Sequence, residues 1–337
     1  MTKLLKNYCT LRPLKIIGLN QLKGILVFVI LFISCSKNNN STPNVPPVPA
    51  GKDVLNNWIK TTKQGNSVQD IWLINRTSGY FVNENGIFSP SANWNTWMLK
   101  PGTEALNTFN LQFVDSLTGF AQGQNQLGIT SDGGILWSIK NLPPGFAIYF
   151  QFTNASTGFF YDRNLGLYKT QDTGTSLNPV FPVTASSQSY PFFFLDSLNG
   201  FTLINNTVHK TVDGGLNWQF ITGTTPFSGF DGYYRMQFLD LNNGFCGSIL
   251  GLFLTTNGGT NWKNILSSSS GYIIPQFFDI NNGYCLTANA IFKTTNGGTS
   301  WTLSCSLGDD KFSSMHMLDM NTGLASTFGG YVLKLGL

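Results

Sequence analysis

The chain reads as an all-β protein: a seven-bladed β-propeller with four-stranded antiparallel blades, its ring closed by an N-terminal strand that completes the last blade. Three observations carry that reading. One turn motif recurs with a tryptophan behind it, a second recurs about every 40 residues, and the two chain ends hold complementary parts of one repeat. Composition agrees: 28 Phe and 36 Gly among only 11% charged residues suit short strands joined by tight turns, not a helical bundle or a disordered chain.

The first residues stand apart. Lys3, Lys6, Arg12, Lys15 and Lys23 precede an apolar run, Gly24-Ile-Leu-Val-Phe-Val-Ile-Leu-Phe-Ile-Ser34. A bilayer span needs about 20 apolar residues, so the run has the length of a signal peptide instead. It ends in Phe32-Ile33-Ser34-Cys35, which resembles a bacterial lipobox and makes Cys35 the expected lipid-bearing residue. The expected organisation is a signal peptide over 1–34, a lipidated cysteine with a Pro/Asn-rich tether over 35–52, and a propeller over 53–337. The stretch 36–52 looks too polar and proline-rich to pack. Cleavage before Cys35 leaves 15 basic against 16 acidic residues, where the whole chain scores +4. That balance offers no clustered basic surface for nucleic acid. A monomer in the cell envelope follows, anchored to the outer membrane and facing either the periplasm or the cell surface.

The ruler of the repeat is a glycine, as in Phe113-Val-Asp115-Ser-Leu-Thr-Gly119 and Phe194-Leu-Asp196-Ser-Leu-Asn-Gly200. Its copies stand at Gly79, Gly119, Gly158, Gly200, Gly244, Gly283 and Gly323, steps of 40, 39, 42, 44, 39 and 40 residues. Each unit divides into four strands. Strand a ends near the Asp, a turn through the Gly starts strand b, and a polar link leads to strand c. An Asn/Asp-Gly-Gly turn then feeds strand d. Asn/Asp-Gly is a strong hairpin signal, because Gly takes positive φ freely and the Asx side chain bonds nearby N–H groups. The turn residues and their tryptophans are Asp132/Trp137, Asp213/Trp218, Asn257/Trp262 and Asn296/Trp301, each ring expected to fold back and bury a large apolar surface. Asp172 heads a third-blade copy with Leu177 in the tryptophan slot. In the first blade Ser89-Pro-Ser-Ala-Asn-Trp94-Asn-Thr-Trp97 occupies this place without an evident register. The seventh copy stops after strand c, at Tyr331–Leu337, while Asp53 and Trp58 near the other end repeat the five-residue interval. Residues 53–61 are therefore expected to supply strand d of blade seven, removing two open sheet edges.

The pattern Ser/Thr-x-Asp/Asn-x-Gly-x-x-Trp is similar to the Asp-box, or bacterial neuraminidase repeat. The fuller Lys/Thr-Thr-x-Asp/Asn-Gly-Gly-x-x-Trp at this period resembles propellers of the photosystem II stability/assembly-factor type. The resemblance covers 53–337 and implies an architecture, since the same turn occurs in sialidases, other glycosidases and non-enzymes. A sialidase would need three converging arginines and a Tyr/Glu pair. After the leader the chain has only Arg76, Arg163 and Arg235, and Arg76 falls on the opposite face of the ring. Glu84 and Glu104 are its only glutamates, and no Phe/Tyr-Arg-Ile-Pro occurs. A general glycosidase needs two carboxylates about 5–9 Å apart. With most aspartates in turns, Asp70, Glu84, Glu104, Asp162, Asp231, Asp309 and Asp310 are left, and these read as solvated loop charges.

His209 and His316 have no ligand spacing around them, and Cys246, Cys285 and Cys305 fall on strands too far apart to pair, hence buried free thiols. No catalytic group, metal or cofactor emerges. The expected function is a non-enzymatic envelope scaffold that binds a protein partner or polysaccharide, with a glycoside hydrolase or glycan-binding protein as the alternative. The d-to-a loop face offers the candidate binding residues Asp162, Arg163, Phe230, Asp231, Tyr234 and Arg235, with Phe192 among further exposed aromatics. The amides of Gln122-Gly-Gln-Asn-Gln126 suit sugar hydroxyls.

Overall fold

The computed structural model describes residues 45–104, 106–143, 149–162, 166–182, 191–204, 207–223, 235–267 and 271–337. They form seven four-stranded antiparallel sheets arranged as the blades of a propeller. In each blade strand a lies nearest the channel and strand d at the rim. Blade 6 shows the plan: Ile274–Phe277, Gly283–Leu286, Ala290–Thr294 and Thr302–Ser306. The a–b and c–d turns share one face, the turn face. The b–c links and d-to-a loops share the other, the loop face.

The ruler glycines are explained by contact. At Gly119, Gly200 and Gly244 a Cβ would lie 2.5 Å from the ring of the strand-a Phe six residues earlier. The strand-a rings also pack across the seams: Phe120 of blade 2 stacks on Phe152 of the following blade at 3.5 Å. Phe159 on Phe194, Phe201 on Phe238 and Phe245 on Phe277 repeat the contact at 3.3, 3.6 and 3.6 Å. One stacked pair per seam thus recurs from blade 2 to blade 6, each ring fully or nearly fully buried.

The c–d turns carry their own bonding pattern. Thr130 Oγ1 donates to Asp132 Oδ1 at 2.8 Å and accepts the Gly134 N–H at 2.9 Å, while the Leu136 N–H donates to Asp132 Oδ1 at 3.0 Å. The same three bonds recur at Thr294, Asn296, Gly298 and Ser300. Both turn glycines hold positive φ, 74° and 86° at Gly133 and Gly134, which is why a pair of glycines recurs here. Behind the turn the tryptophan seals the seam to the preceding blade. Trp301 is 4% exposed and donates Nε1–H to the Ile265 carbonyl at 2.8 Å; Trp218 does the same to Val180 at 2.9 Å. Strand-c lysines reach the other way. Lys169 Nζ donates to Ser197 O at 2.9 Å and Lys293 Nζ to Met320 O at 2.7 Å, each on the turns of the following blade.

Trp262 corrects the expectation that every turn tryptophan plays one part. Its turn is regular, with Thr255, Asn257, Gly259 and Asn261 making the three bonds. The ring is half-buried, as that of Trp218 is, but its Nε1–H donates at 3.0 Å to the Gly259 carbonyl of its own turn. By position its counterpart to Val180 and Ile265 is Ile221 in blade 4. Strand d of that blade is just Gln219–Phe220 and stops one residue short of it. The indole packs against the core cluster that Ile221 also borders and meets Phe238 edge-on at 6.2 Å.

Ring closure is as the chain ends imply. Trp58–Lys60 pairs antiparallel with Val332–Leu335 and completes blade 7. The residues just before it are used as well: Val54 and Ser306 exchange backbone bonds at 2.8 Å, so the segment runs along the rim of blade 6 before crossing to blade 7. Trp58 fills the tryptophan slot, 3% exposed, with Nε1–H on Ser304 Oγ. Asp53 differs from the turn aspartates. Its carboxylate pairs with Lys60 at 2.9 Å and accepts the Gly308 N–H at 3.1 Å, so its five-residue interval to Trp58 does not reflect the same turn.

Two further expectations are corrected. Val45 and Val48, within the stretch judged too polar to pack, lie half-buried against the cluster of Phe245, Ile265 and Trp301. Their three-residue spacing places both on one side of an extended proline-rich chain. Blade 1 also gains a register. Asn93 takes the Asx role, accepting the Asn95 N–H at 3.1 Å, and Trp94 at φ 60° turns inward against Ile71, Leu73 and Val332. Cys246, Cys285 and Cys305 are buried and form no disulfide with one another. Burial pushes the Cys285 thiol upward and that of Cys305 to about 12.

Candidate functional site

The strand-a sequences align as Asp70-Ile-Trp-Leu73, Asn110-Leu-Gln-Phe113, Tyr149-Phe-Gln-Phe152, Pro191-Phe-Phe-Phe194, Arg235-Met-Gln-Phe238, Ile274-Pro-Gln-Phe277 and Ser314-Met-His-Met317. With period-2 alternation, the first and third residues of each face one side and the second and fourth the other. The second and fourth are buried between blades. The first and third, Pro191 apart, line a central channel of about 340 Å³.

In five of the seven blades the third position is an interblade clamp, Trp72 and Phe193 being the exceptions. Gln112 gives its amide hydrogen to the Phe152 carbonyl and takes the Phe152 N–H, both at 2.8 Å. Gln151 grips Phe194, Gln237 grips Phe277 and Gln276 grips Met317 in the same two-bond manner at 2.8–2.9 Å. At the closing seam His316 takes the part, its Nδ1 accepting the Leu73 N–H at 3.2 Å with the ring 4.0 Å from that of Trp72. Burial lowers the imidazole to about 4, so it is neutral at ordinary pH. These amides hold the ring together and are engaged with backbone.

The first position, one level nearer the loop face, carries the chemistry. Asp70 sits there with Asn110, Tyr149, Arg235 and Ser314 around the same channel. Trp72 leaves blade 1 without a glutamine clamp, and Asp70 spans that seam instead. Its Oδ2 accepts the Leu111 N–H of blade 2 at 2.8 Å. Its Oδ1 accepts the Ile71 N–H at 2.9 Å and the Ser314 hydroxyl of blade 7 at 2.5 Å. Burial raises the carboxyl to about 6, against the opposing pull of those donors and of the Arg235 charge. Burial likewise raises the Tyr149 phenol. The Arg235 guanidinium lies 5.6 Å from the centre of the Tyr149 ring, a cation–π distance. Tyr272, on the loop-face approach, donates its hydroxyl to the Phe312 carbonyl. Among the described residues the mouth thus sets one cation, one titratable carboxylate and aromatic surface around a polar opening.

Of the six candidate residues from the sequence, Arg235 begins strand a of blade 5 and lines this mouth, exposed. Asp162 is 2% exposed at the end of a strand b, so it is an interior residue and not a solvated loop charge. Arg163, Phe230, Asp231 and Tyr234 lie outside the described residues, as does Cys35. Phe192, expected on the surface, is 1% exposed and packs between blades; Gln122 is likewise buried, at 1%. Glu84, Glu104 and Asp309 are exposed, as loop charges should be, whereas Asp70 had been grouped with them and instead occupies the channel wall. The overlooked signal was the aligned x-x-Gln-Phe quartet. Its first position names the mouth residues and its third names the clamps.

Among the described residues no group of three or more His, Cys, Asp or Glu side chains has the geometry to hold a metal, and no helix is long and apolar enough to cross a membrane. The channel wall holds one described carboxylate, Asp70, where a glycosidase needs a pair.

No known sequence family matches the chain, and no curated protein sequence does. Solved structures do. The structure of YCF48 bound to D1 peptide aligns with TM-score 0.62 at 17% identity, covering 85% of this chain and 99% of that one. YCF48 from Cyanidioschyzon merolae aligns with TM-score 0.62 at 16% identity over 82% and 98% of the two chains. The GH74 xyloglucanase from Xanthomonas campestris aligns with TM-score 0.61 at 12% identity, over 81% of this chain and 52% of its own length. At these identities the likeness is one of fold.

Proposed function

We propose that this chain is a non-enzymatic, lipid-anchored envelope protein whose propeller of Asp-box repeats holds a segment of a protein partner at the loop-face mouth of its channel. The observation that carries this is the arrangement of Arg235, Tyr149 and Asp70 at one level of the channel, above a belt of amides already bonded to backbone. Arginine beside aromatic surface is the pairing over-represented where proteins bind proteins. The similarity to a propeller solved with a peptide bound supports a polypeptide ligand in this architecture. Anchoring through Cys35 would present the ring in the envelope on the tether that follows it.

Affinity capture from envelope extracts tests the reading. The wild-type chain should retain a protein that the Arg235→Ala/Tyr149→Ala double variant loses, with Cys35→Ser releasing the bait from membranes. Retention of the same partners by the double variant defeats the mouth assignment. A polysaccharide ligand is the second reading, favoured by the Asn110 amide and the Ser313 and Ser314 hydroxyls at the same opening and by the xyloglucanase-like fold. Release of new reducing ends from a polysaccharide panel would replace the binding proposal with a hydrolase.

A further inference from the structure

The turn face carries a pattern that the channel does not use. In blades 5 and 6 the outward positions of the two turns are polar: Asn242, Thr256 and Thr260 in one, Asn281, Thr295 and Thr299 in the other. Blades 2 and 4 place aliphatic side chains there. Leu117, Ile135 and Leu136 are 57%, 67% and 71% exposed, and Leu198, Val212 and Leu216 are 51%, 60% and 81% exposed. The turn itself does not ask for them. The Thr–Asx–Gly bonds form equally with Thr299 and Ser300 in blade 6 as with Ile135 and Leu136 in blade 2. Six large aliphatic residues held in water on one face, on two blades flanking a third, mark a contact surface.

Charge selects the occupant. Asp115 and Asp132 border the blade 2 group, and Asp196 and Asp213 the blade 4 group. Turn N–H groups and neighbouring side chains that bond these carboxylates hold all four below the usual range. Two amines share this face, bonded to turn oxygens, and the four carboxylates outnumber them. Lys169 Nζ lies against the Ser197 and Gly214 carbonyls at 2.9 and 3.4 Å, and Lys140 Nζ against Thr173 O at 3.1 Å and Thr175 Oγ1. A second copy of the face would set carboxylates against carboxylates, and an anionic lipid surface would be repelled in the same way. We infer that the turn face of blades 2 and 4 docks a segment of a partner protein in which aliphatic side chains stand beside lysine or arginine. This is independent of the channel mouth, on the other side of the ring.

The test titrates the full chain with a short synthetic peptide alternating Leu and Lys. A Leu/Glu peptide, a Ser/Lys peptide and phosphatidylglycerol vesicles run in parallel, with sedimentation of the chain alone. The Leu/Lys peptide should bind saturably and about tenfold more weakly to Leu136→Ser/Leu216→Ser, while Thr260→Ser/Thr299→Ser leaves it unchanged. Ile135→Ser/Val212→Ser serves as a second pair should the first fail to show the wild-type urea midpoint. Four outcomes overturn the inference: equal affinity in the Leu variants, equal binding of the Leu/Glu peptide, self-association abolished by the same changes, or vesicle binding abolished by them.

Discussion

The two faces of the ring treat the same side chain in opposite ways. On the turn face Asp172 and Asp213 accept backbone and side-chain donors in the open and fall to about 2. Near the loop face Asp70 also accepts three donors, yet burial outweighs them and lifts it to about 6. Donors alone therefore do not decide where a carboxylate titrates; the water left around it does. The turn aspartates stay charged and structural, whereas Asp70 is poised to change charge in the channel wall that Arg235 shares. A repeat whose turn bonding recurs from blade to blade can accordingly carry an individual site at the channel mouth.

The largest expected effect breaks the turn side of this contrast. Trp301→Ala removes a buried ring that seals a seam and leaves the Ile265 carbonyl without its donor. It should cost about 3–5 kcal/mol in urea denaturation, while Leu136→Ser on the same face stays within about 0.5 kcal/mol. Next comes the clamp. Gln276→Ala removes both bonds to Met317 and should cost about 1–3 kcal/mol; Arg235→Ala, one level up, should leave the urea midpoint nearly unchanged and act on binding alone. A finer comparison uses tryptophans. Trp301→Phe forfeits a hydrogen bond, but Trp137 Nε1 is buried without a partner, so Trp137→Phe should be the milder of the two.

The smallest effect concerns pH. Asp70, raised from 3.8 to about 6 by burial, binds more protons in the folded chain, so it lowers stability as pH rises between about 4 and 6. His316, lowered from 6.5 to about 4 by burial, binds fewer, so it raises stability across nearly the same window. The two oppose each other, and the wild-type chain should show a shallow profile there. His316→Gln, which places the residue of the other clamps in that slot, should unmask a stability that falls from pH 4 to pH 6. Asp70→Asn should unmask one that rises. Urea midpoints measured across that range check both, and an unchanged profile in either variant removes the opposition. Below pH 4 the turn aspartates dominate, because their lowered values make stability fall as they protonate.

Architecture was legible because its determinants are local and repeated. Gly119 must be glycine because Phe113 lies on it, and Gly133–Gly134 because both take positive φ; blades 4, 5 and 6 state both rules again, while blade 3 sets Thr173 at φ 58° in the first glycine's place. Trp58 announced the closing strand for the same reason. Asp53 misled because a spacing says nothing about a carboxylate's partners, and here those are Lys60 and Gly308. Trp262 misled in a related way, since the acceptor its Nε1–H finds goes with the length of the neighbouring blade's rim strand and cannot be read from its own turn. The site was harder to read because each blade contributes one residue to it and those residues differ. Asp70, Tyr149 and Arg235 stand far apart in the chain and meet only because strand a of every blade faces the channel. Phe192 was misplaced for the complementary reason: in an alternating strand its neighbour Phe193 faces the channel and Phe192 the core.

Site-specific photo-cross-linking in the envelope tests the central claim most directly. A benzoylphenylalanine in place of Arg235 at the mouth should yield a discrete cross-linked protein adduct, and one in place of Asn296 on the turn face of blade 6 should not. An adduct at the Asn296 position with none at the Arg235 position would contradict the assignment of the loop-face mouth as the partner site.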